Sequence, residues 1–155
     1  MLVEQVGRAL INAKQTITSA ESLTAGLFVA TLAEVSGISQ SLPGAFVTYS
    51  AATKHQLVGV DLALIERAGV VSAVVAQAMA EGARETLQTD WAVSFTGVAG
   101  PERLENQPAG TVFIGMVGPA ISQVKEYHFM GDRQSIREQA VQAAFILLAA
   151  ALPED

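Results

Sequence analysis

The chain has 155 residues, no cysteine and a formal net charge of −6, with a pI near 4.8. The missing cysteines exclude disulfide frameworks, thiolate metal sites and cysteine nucleophiles, and the acidic balance argues against nucleic acid as a partner, since phosphate backbones are held by clustered Lys and Arg. Half the residues are apolar, 15% are charged and 6% are aromatic, so the expected core is Ala, Val, Leu and Ile within one domain, which at this length buries roughly 70% of its unfolded surface.

Residues 1–13 set Val3, Val6 and Leu10 among Glu4 and Arg8, which predicts an amphipathic helix without a signal-peptide core and hence a cytoplasmic protein. Residues 15–20 alternate weakly and lead through Glu21-Ser22-Leu23-Thr24-Ala25-Gly26 into an apolar helical stretch at 27–35, a strand, turn and helix. A loop rich in Ser, Gly and Pro at 36–44 precedes a short strand at 45–49, then a turn and short helix over 50–57. Ser72 is the expected N-cap of a helix reaching Leu87, with Val74, Val75, Ala78, Met79 and Ala83 at helical spacing.

A strand at 91–95 then runs into the glycine-rich loop 96–101 and the polar stretch 102–108. Residues 111–117 and 121–129 are joined by Gly118-Pro119-Ala120, short enough for an antiparallel hairpin. Asp132 opens a last helix whose stripe is Ile136, Ala140, Val141, Ala144, Phe145, Leu148 and Leu152. Its apolar run, 141–152, is shorter than the roughly 20 residues of a membrane span, so a buried terminal helix and no membrane partner are expected. The predicted fold is a three-layer α/β/α domain, 1–155, with a mixed, largely parallel sheet and a C-terminal antiparallel hairpin.

A turn between strand and helix presents free N–H groups at the positive end of the helix dipole, where anions bind. Ser22, Thr24 and Gly26 sit in such a turn and fit either a nucleophile with an oxyanion and phosphate cradle or plain helix-capping hydroxyls. A serine needs a base. The two histidines, His55 and His128, lie in no recognisable triad setting, and the A-x-S-x-T context lacks the glycines of a G-x-S-x-G elbow. Lys54 follows Tyr49 by five residues, so both can converge on a cleft at the sheet end; a lysine serves as base when burial or nearby positive charge lowers its pKa, and otherwise is an ordinary surface cation. Thr96 to Pro101 matches neither a P-loop nor a dinucleotide fingerprint. Asp132-Arg133 reads as a helix cap with a solvated arginine or as a guanidinium offered to phosphate.

In order along the chain stand Ala20-Glu21-Ser22-Leu23-Thr24-Ala25-Gly26, Val47-Thr48-Tyr49-Ser50 with Lys54, Leu57-Val58-Gly59-Val60, Gly69-Val70-Val71-Ser72, Thr96-Gly97-Val98-Ala99-Gly100-Pro101, Pro108-Ala109-Gly110-Thr111-Val112 and Gly131-Asp132-Arg133. Over nearly the whole length this set resembles the C-terminal domain of the competence-damage-inducible (CinA) family, including stand-alone members that act as nicotinamide-nucleotide amidohydrolases. The resemblance implies that Ser22 attacks the carboxamide of nicotinamide mononucleotide, Lys54 takes its proton and Tyr49 orients or assists. Nicotinic acid mononucleotide and ammonia are the implied products. It further implies substrate contacts at Thr24, Gly26, Thr96, Gly97, Thr111 and Arg133, no metal or cofactor, and a homodimer or higher homo-oligomer. Larger members carry an additional N-terminal domain, whose activity is not expected here.

The chain departs from the family pattern at three places. Leu23 and Ala25 stand where the family has Cys and Gly, adding bulk beside the nucleophile. Residues 102–107, Glu-Arg-Leu-Glu-Asn-Gln, replace a loop with a Gly-Gly pair and a lysine, and Ala51-Ala52-Thr53 replaces more polar residues before Lys54. These departures motivate a second expectation, a paralogue of weak or no activity that binds a nucleotide or a partner protein.

Overall fold

A computed structural model describes residues 1–154; Asp155, the last residue of the expected domain, lies outside the described residues. The elements run α1 (Leu2–Ala13), β1 (Ile17–Glu21), α2 (Leu27–Leu32), a 3-10 turn (Ile38–Gln40), β2 (Phe46–Val47), α3 (Ala51–Val58), α4 (Leu62–Ala68), α5 (Ala73–Leu87), β3 (Trp91–Gly97), β4 (Thr111–Gly118), β5 (Ile121–His128) and α6 (Arg133–Ala151). They form one mixed five-stranded sheet in the order β2-β1-β3-β4-β5.

The sheet has two regimes. β1 pairs in parallel with β3 from Ile17↔Trp91 to Glu21↔Phe95, and with β2 through Ala20↔Phe46 and Glu21↔Val47. β3–β4 and β4–β5 are antiparallel, the latter from Thr111↔His128 to the turn pair Gly118↔Ile121. β1 and β4 are buried along their full length, as central strands covered on both faces must be, whereas no residue of the edge strand β5 is fully buried.

Alternation along β3 divides the core. Trp91, Val93 and Phe95 join Val6 and Leu10 of α1, Phe28 of α2 and Phe145 and Leu148 of α6 on one face, where the Phe28 and Phe145 rings stack at 4.8 Å. Ala92, with Ala20 of β1, meets Val75, Met79 and Ala83 of α5, Val58 of α3 and Ile65 of α4 on the other. The layers approach closely where side chains are absent. A Cβ on Gly82 of α5 would lie 1.8 Å from the Val58 carbonyl oxygen, so this glycine lets α5 cross the end of α3.

Predicted caps are present: the side chains of Ser72 and Asp132 accept the amides of Val75 and Ser135. Several boundaries differ from expectation, three of them in elements that meet the carboxyl edge of the sheet. Thr96 and Gly97 complete β3 rather than opening the loop, because their backbone continues the ladder to Phe113 and Val112. The strand expected over 45–49 shrinks to Phe46–Val47, and the helix over 27–35 to Leu27–Leu32.

Candidate active site

β1, β2 and β3 point their carboxyl ends to the same edge of the sheet, and a ligand crevice is expected there in an open α/β sheet. A cleft of about 440 Å³ lies at this edge. It is lined by Ser22 from the end of β1, Tyr49 from the end of β2, Lys54 from α3, Thr96 and Gly97 from the end of β3, and Arg133 from the start of α6.

Ser22 follows a buried carboxylate that builds its turn. Glu21 is fully buried, and its oxygens accept from the Ser19 hydroxyl at 2.9 Å and from the amides of Gly26, Phe28 and Val29 at 3.2, 3.0 and 3.2 Å. The first amides of α2 are therefore engaged within the protein. This corrects the expected phosphate cradle: the Gly26 amide turns inward to Glu21, and a carboxylate already complements the helix start. On its other side the turn is held by Arg137 of α6, whose Nε and Nη2 donate to the carbonyls of Leu23 and Thr24 at 2.8 and 3.0 Å.

Lys54 stands on α3, whose start is fixed by a capping box. Ser50 Oγ accepts the Thr53 amide and Thr53 Oγ1 accepts the Ser50 amide, both at 3.1 Å, which gives Thr53 a structural role in the stretch before the lysine. The Lys54 side chain is 1% exposed. Its Nζ donates to the Thr48 carbonyl at 2.7 Å and lies 3.2 Å from Ser22 Oγ. Burial lowers its pKa to about 8, against a smaller opposing influence of Glu105. A neutral Nζ that donates to Thr48 can direct its lone pair at the Ser22 hydroxyl, which is the geometry of a general base and nucleophile.

Tyr49 is more than half exposed, and its hydroxyl accepts from Arg133 Nη2 at 2.9 Å while Arg133 Nη1 donates to the Gly100 carbonyl at 2.6 Å. The tyrosine is thus tied into a strap across the cleft mouth rather than bonded to the serine or the lysine. Thr96 Oγ1 donates to the Val70 carbonyl at 2.6 Å, which places its hydroxyl in the wall. Thr24 and Thr111 are buried, do not line the cleft, and their hydroxyls have no partner among the described residues. Thr111 stands behind Gly97, where a Cβ would come within 2.6 Å of the Thr111 carbonyl oxygen. Both histidines lie elsewhere: His55 Nδ1 meets the Val60 carbonyl at 2.9 Å and His128 meets Glu126.

The loop after Pro101 carries structure that its composition conceals. Glu105 accepts the amides of Val70 and Val71 at 3.0 and 2.9 Å, and Gln107 Nε2 donates to the Val71 carbonyl at 2.7 Å. Val70 and Val71 line the cleft, so the loop holds part of its wall in place. Sequence reading missed Glu21, Glu105 and Arg137 as site-building residues. A carboxylate directly before the serine, at the end of a buried strand, was the available signal for Glu21; for Arg137, bonded across more than a hundred residues, no local signal exists. Among the described residues no group of three or more His, Asp or Glu side chains could hold a metal ion, and no helix is long and apolar enough to cross a membrane.

Comparison with known proteins adds ancestry to geometry. The family model described as the CinA C-terminal domain matches residues 1–152. A protein of Lactiplantibacillus plantarum named competence-damage inducible protein is 54% identical over 155 residues, covering 99% of this chain, and one of Levilactobacillus brevis with the same name is 52% identical over 141 residues, covering 90%. This chain spans only 37% and 34% of those two proteins. Crystal structures of CinA superfamily proteins from Klebsiella pneumoniae and Escherichia coli superpose with TM-scores of 0.93 and 0.92 at 30% and 31% identity, covering 96% of this chain and 94% and 88% of theirs. From residue 1 to residue 152, with its cleft at the carboxyl edge of the sheet, the chain belongs to the CinA C-terminal domain family.

Proposed function

We propose that the protein is a serine amidohydrolase that converts nicotinamide mononucleotide to nicotinic acid mononucleotide and ammonia. The observation that carries this reading is the approach of Lys54 Nζ to Ser22 Oγ at 3.2 Å, with the lysine buried and its pKa lowered to about 8. Such a lysine is neutral in a useful fraction of molecules near neutral pH, whereas an exposed one is not.

In the proposed reaction Ser22 Oγ attacks the carboxamide carbon as its proton passes to Lys54. The lysine returns that proton to the departing nitrogen, which leaves as ammonia. Water then attacks the acyl-serine with Lys54 again as base, the carboxylate is released, and the proton returns to Ser22. Arg133 and Arg103 at the cleft suit an anionic substrate, with Tyr49 holding Arg133 in place by its hydroxyl.

The test is ammonia release from nicotinamide mononucleotide by the purified chain beside Ser22→Ala. Turnover in the wild type that falls at least 10³-fold in the variant is the expected outcome. A second reading, a nucleotide-binding protein without turnover, is motivated by the loop 102–107 and by Leu23, which fill space at the cleft. Thermal stabilisation by the nucleotide with no ammonia formed would favour that reading over hydrolysis.

A further inference from the structure

The turn that carries Ser22 satisfies most of its own donors. Ser22 N donates to the Phe95 carbonyl at 2.9 Å, Ala25 N to the Ser22 carbonyl at 3.0 Å, Leu27 N to the Thr24 carbonyl at 2.9 Å, and Gly26 N to Glu21. From Ser22 to Leu27, only the amides of Leu23 and Thr24 have no protein acceptor among the described residues. Both residues are buried, at 3% and 0% exposure. Buried N–H groups without an acceptor are rare in folded proteins and require a reason. Of the two residues, Leu23 lines the cleft next to Ser22.

The carbonyls of the same peptides fix where these N–H groups point, because C=O and N–H face opposite ways across a planar trans peptide. The Ser22 carbonyl turns inward onto the Ala25 amide, so the Leu23 N–H of that peptide points out of the turn. The next two carbonyls, Leu23 and Thr24, are gripped by Arg137. Arg137 reaches the turn from α6, which packs on one face of the sheet, whereas α3 and its Lys54 belong to the other. Drawing the Leu23 carbonyl toward α6 turns the Thr24 N–H toward the lysine side. With the peptides on both sides of the Leu23 Cα anchored, the Leu23 amide has one direction.

We propose that the Leu23 amide, flanked by that of Thr24, is the oxyanion donor for adducts on Ser22, and that Arg137 is the positioning residue that aims it. The proposal rests on the reading of Ser22 as a nucleophile. Arg137 touches no reacting atom; it acts by holding two peptide planes before charge develops on the substrate oxygen, so that no reorganisation is needed in the transition state. Its bond to the Leu23 carbonyl also polarises the Thr24 N–H of the same peptide and strengthens that flanking amide as a donor.

A neutral fluorophosphonate tests this on the full chain without reference to the natural substrate. Ser22 Oγ forms a bond to phosphorus as fluoride leaves, its proton passes to Lys54, and the phosphoryl oxygen takes the place of the oxyanion. The rate of labelling is followed by intact mass. Arg137→Ala is expected to label about 10- to 100-fold more slowly than the wild type, with an unchanged pH inflection and with partial recovery in millimolar guanidinium, which can enter because Arg137 is only partly buried. An unaltered rate in folded Arg137→Ala overturns the proposal, as does a loss that guanidinium does not restore and that comes with a shifted inflection, which traces it to Lys54. If that variant does not fold, Arg137→Lys, which keeps one of the two bonds, takes its place: an intermediate rate supports the proposal and a wild-type rate overturns it. Absence of Ser22 labelling in the wild type overturns the serine-hydrolase reading and this proposal together, whereas a labelled wild type with an unaffected variant overturns this proposal alone.

Discussion

Lys54 is a residue whose stability and activity pull in opposite directions. An ammonium buried in the fold is less basic than one in the unfolded chain, so between about pH 8 and its ordinary 10.5 the unfolded chain holds the extra proton and stability rises with pH. Below pH 8 the fold must accommodate a charged, desolvated lysine. The proposed mechanism needs the neutral form, so turnover is expected to increase with pH through an inflection near pH 8. Lys54→Met should lower turnover by about 10²- to 10⁴-fold and at the same time raise the thermal midpoint at pH 7, because relief from a desolvated ammonium outweighs the lost bond to the Thr48 carbonyl. A pH–rate profile and a melting curve check both halves; a variant that is both inactive and less stable would mean that the lysine is structural. At this scale the sequence named Ser22, Lys54 and Tyr49 but could not assign Tyr49 its partner, since the Arg133 guanidinium that its hydroxyl meets is 84 residues away.

Elements deliver these side chains, and their legibility followed how local their causes are. The β4–β5 hairpin, the Ser72 and Asp132 caps and the α6 stripe were read correctly because each depends on neighbours in sequence. The end of β3 was misread as loop because Thr96 and Gly97 are strand only by virtue of β4, and a phosphate cradle was expected at the start of α2 because nothing local shows that Glu21 takes the Gly26 and Phe28 amides from within. The position of α3 is another non-local matter. It depends on Gly82 of α5, over which the Val58 carbonyl passes at a distance no Cβ tolerates. Gly82→Ala must displace the end of the helix that carries Lys54 and is expected to cost about 3 kcal/mol. Urea unfolding measures the cost, and the fluorophosphonate labelling rate of the folded fraction measures the displacement. A variant as stable and as reactive as the wild type would show that α3 is placed by other contacts.

At the scale of the whole molecule a negative protein surrounds a cleft with basic groups. The formal net charge is −6, yet among the described residues the cleft lining presents Lys54, Arg103 and Arg133 beside Glu102, with the Glu105 carboxylate held behind the wall on the Val70 and Val71 amides. A focused positive potential in a negative field admits a small anion and discourages polyanions, whose length would bring them against the rest of the surface. Exposed charges are screened over about 10 Å at 0.1 M salt, and Arg133 and Arg103 are both exposed. Raising ionic strength from about 0.02 to 0.3 M should therefore raise KM for the phosphorylated nucleotide about threefold, with kcat unchanged because the Ser22–Lys54 contact is shielded by burial. The corresponding nucleoside, which lacks the phosphate and keeps the positive pyridinium, should show no such rise in KM. Steady-state kinetics on both compounds across the salt series separates the two: equal sensitivity would place the salt effect in the fold or the catalytic pair, and insensitivity of both would remove the arginines from substrate recognition.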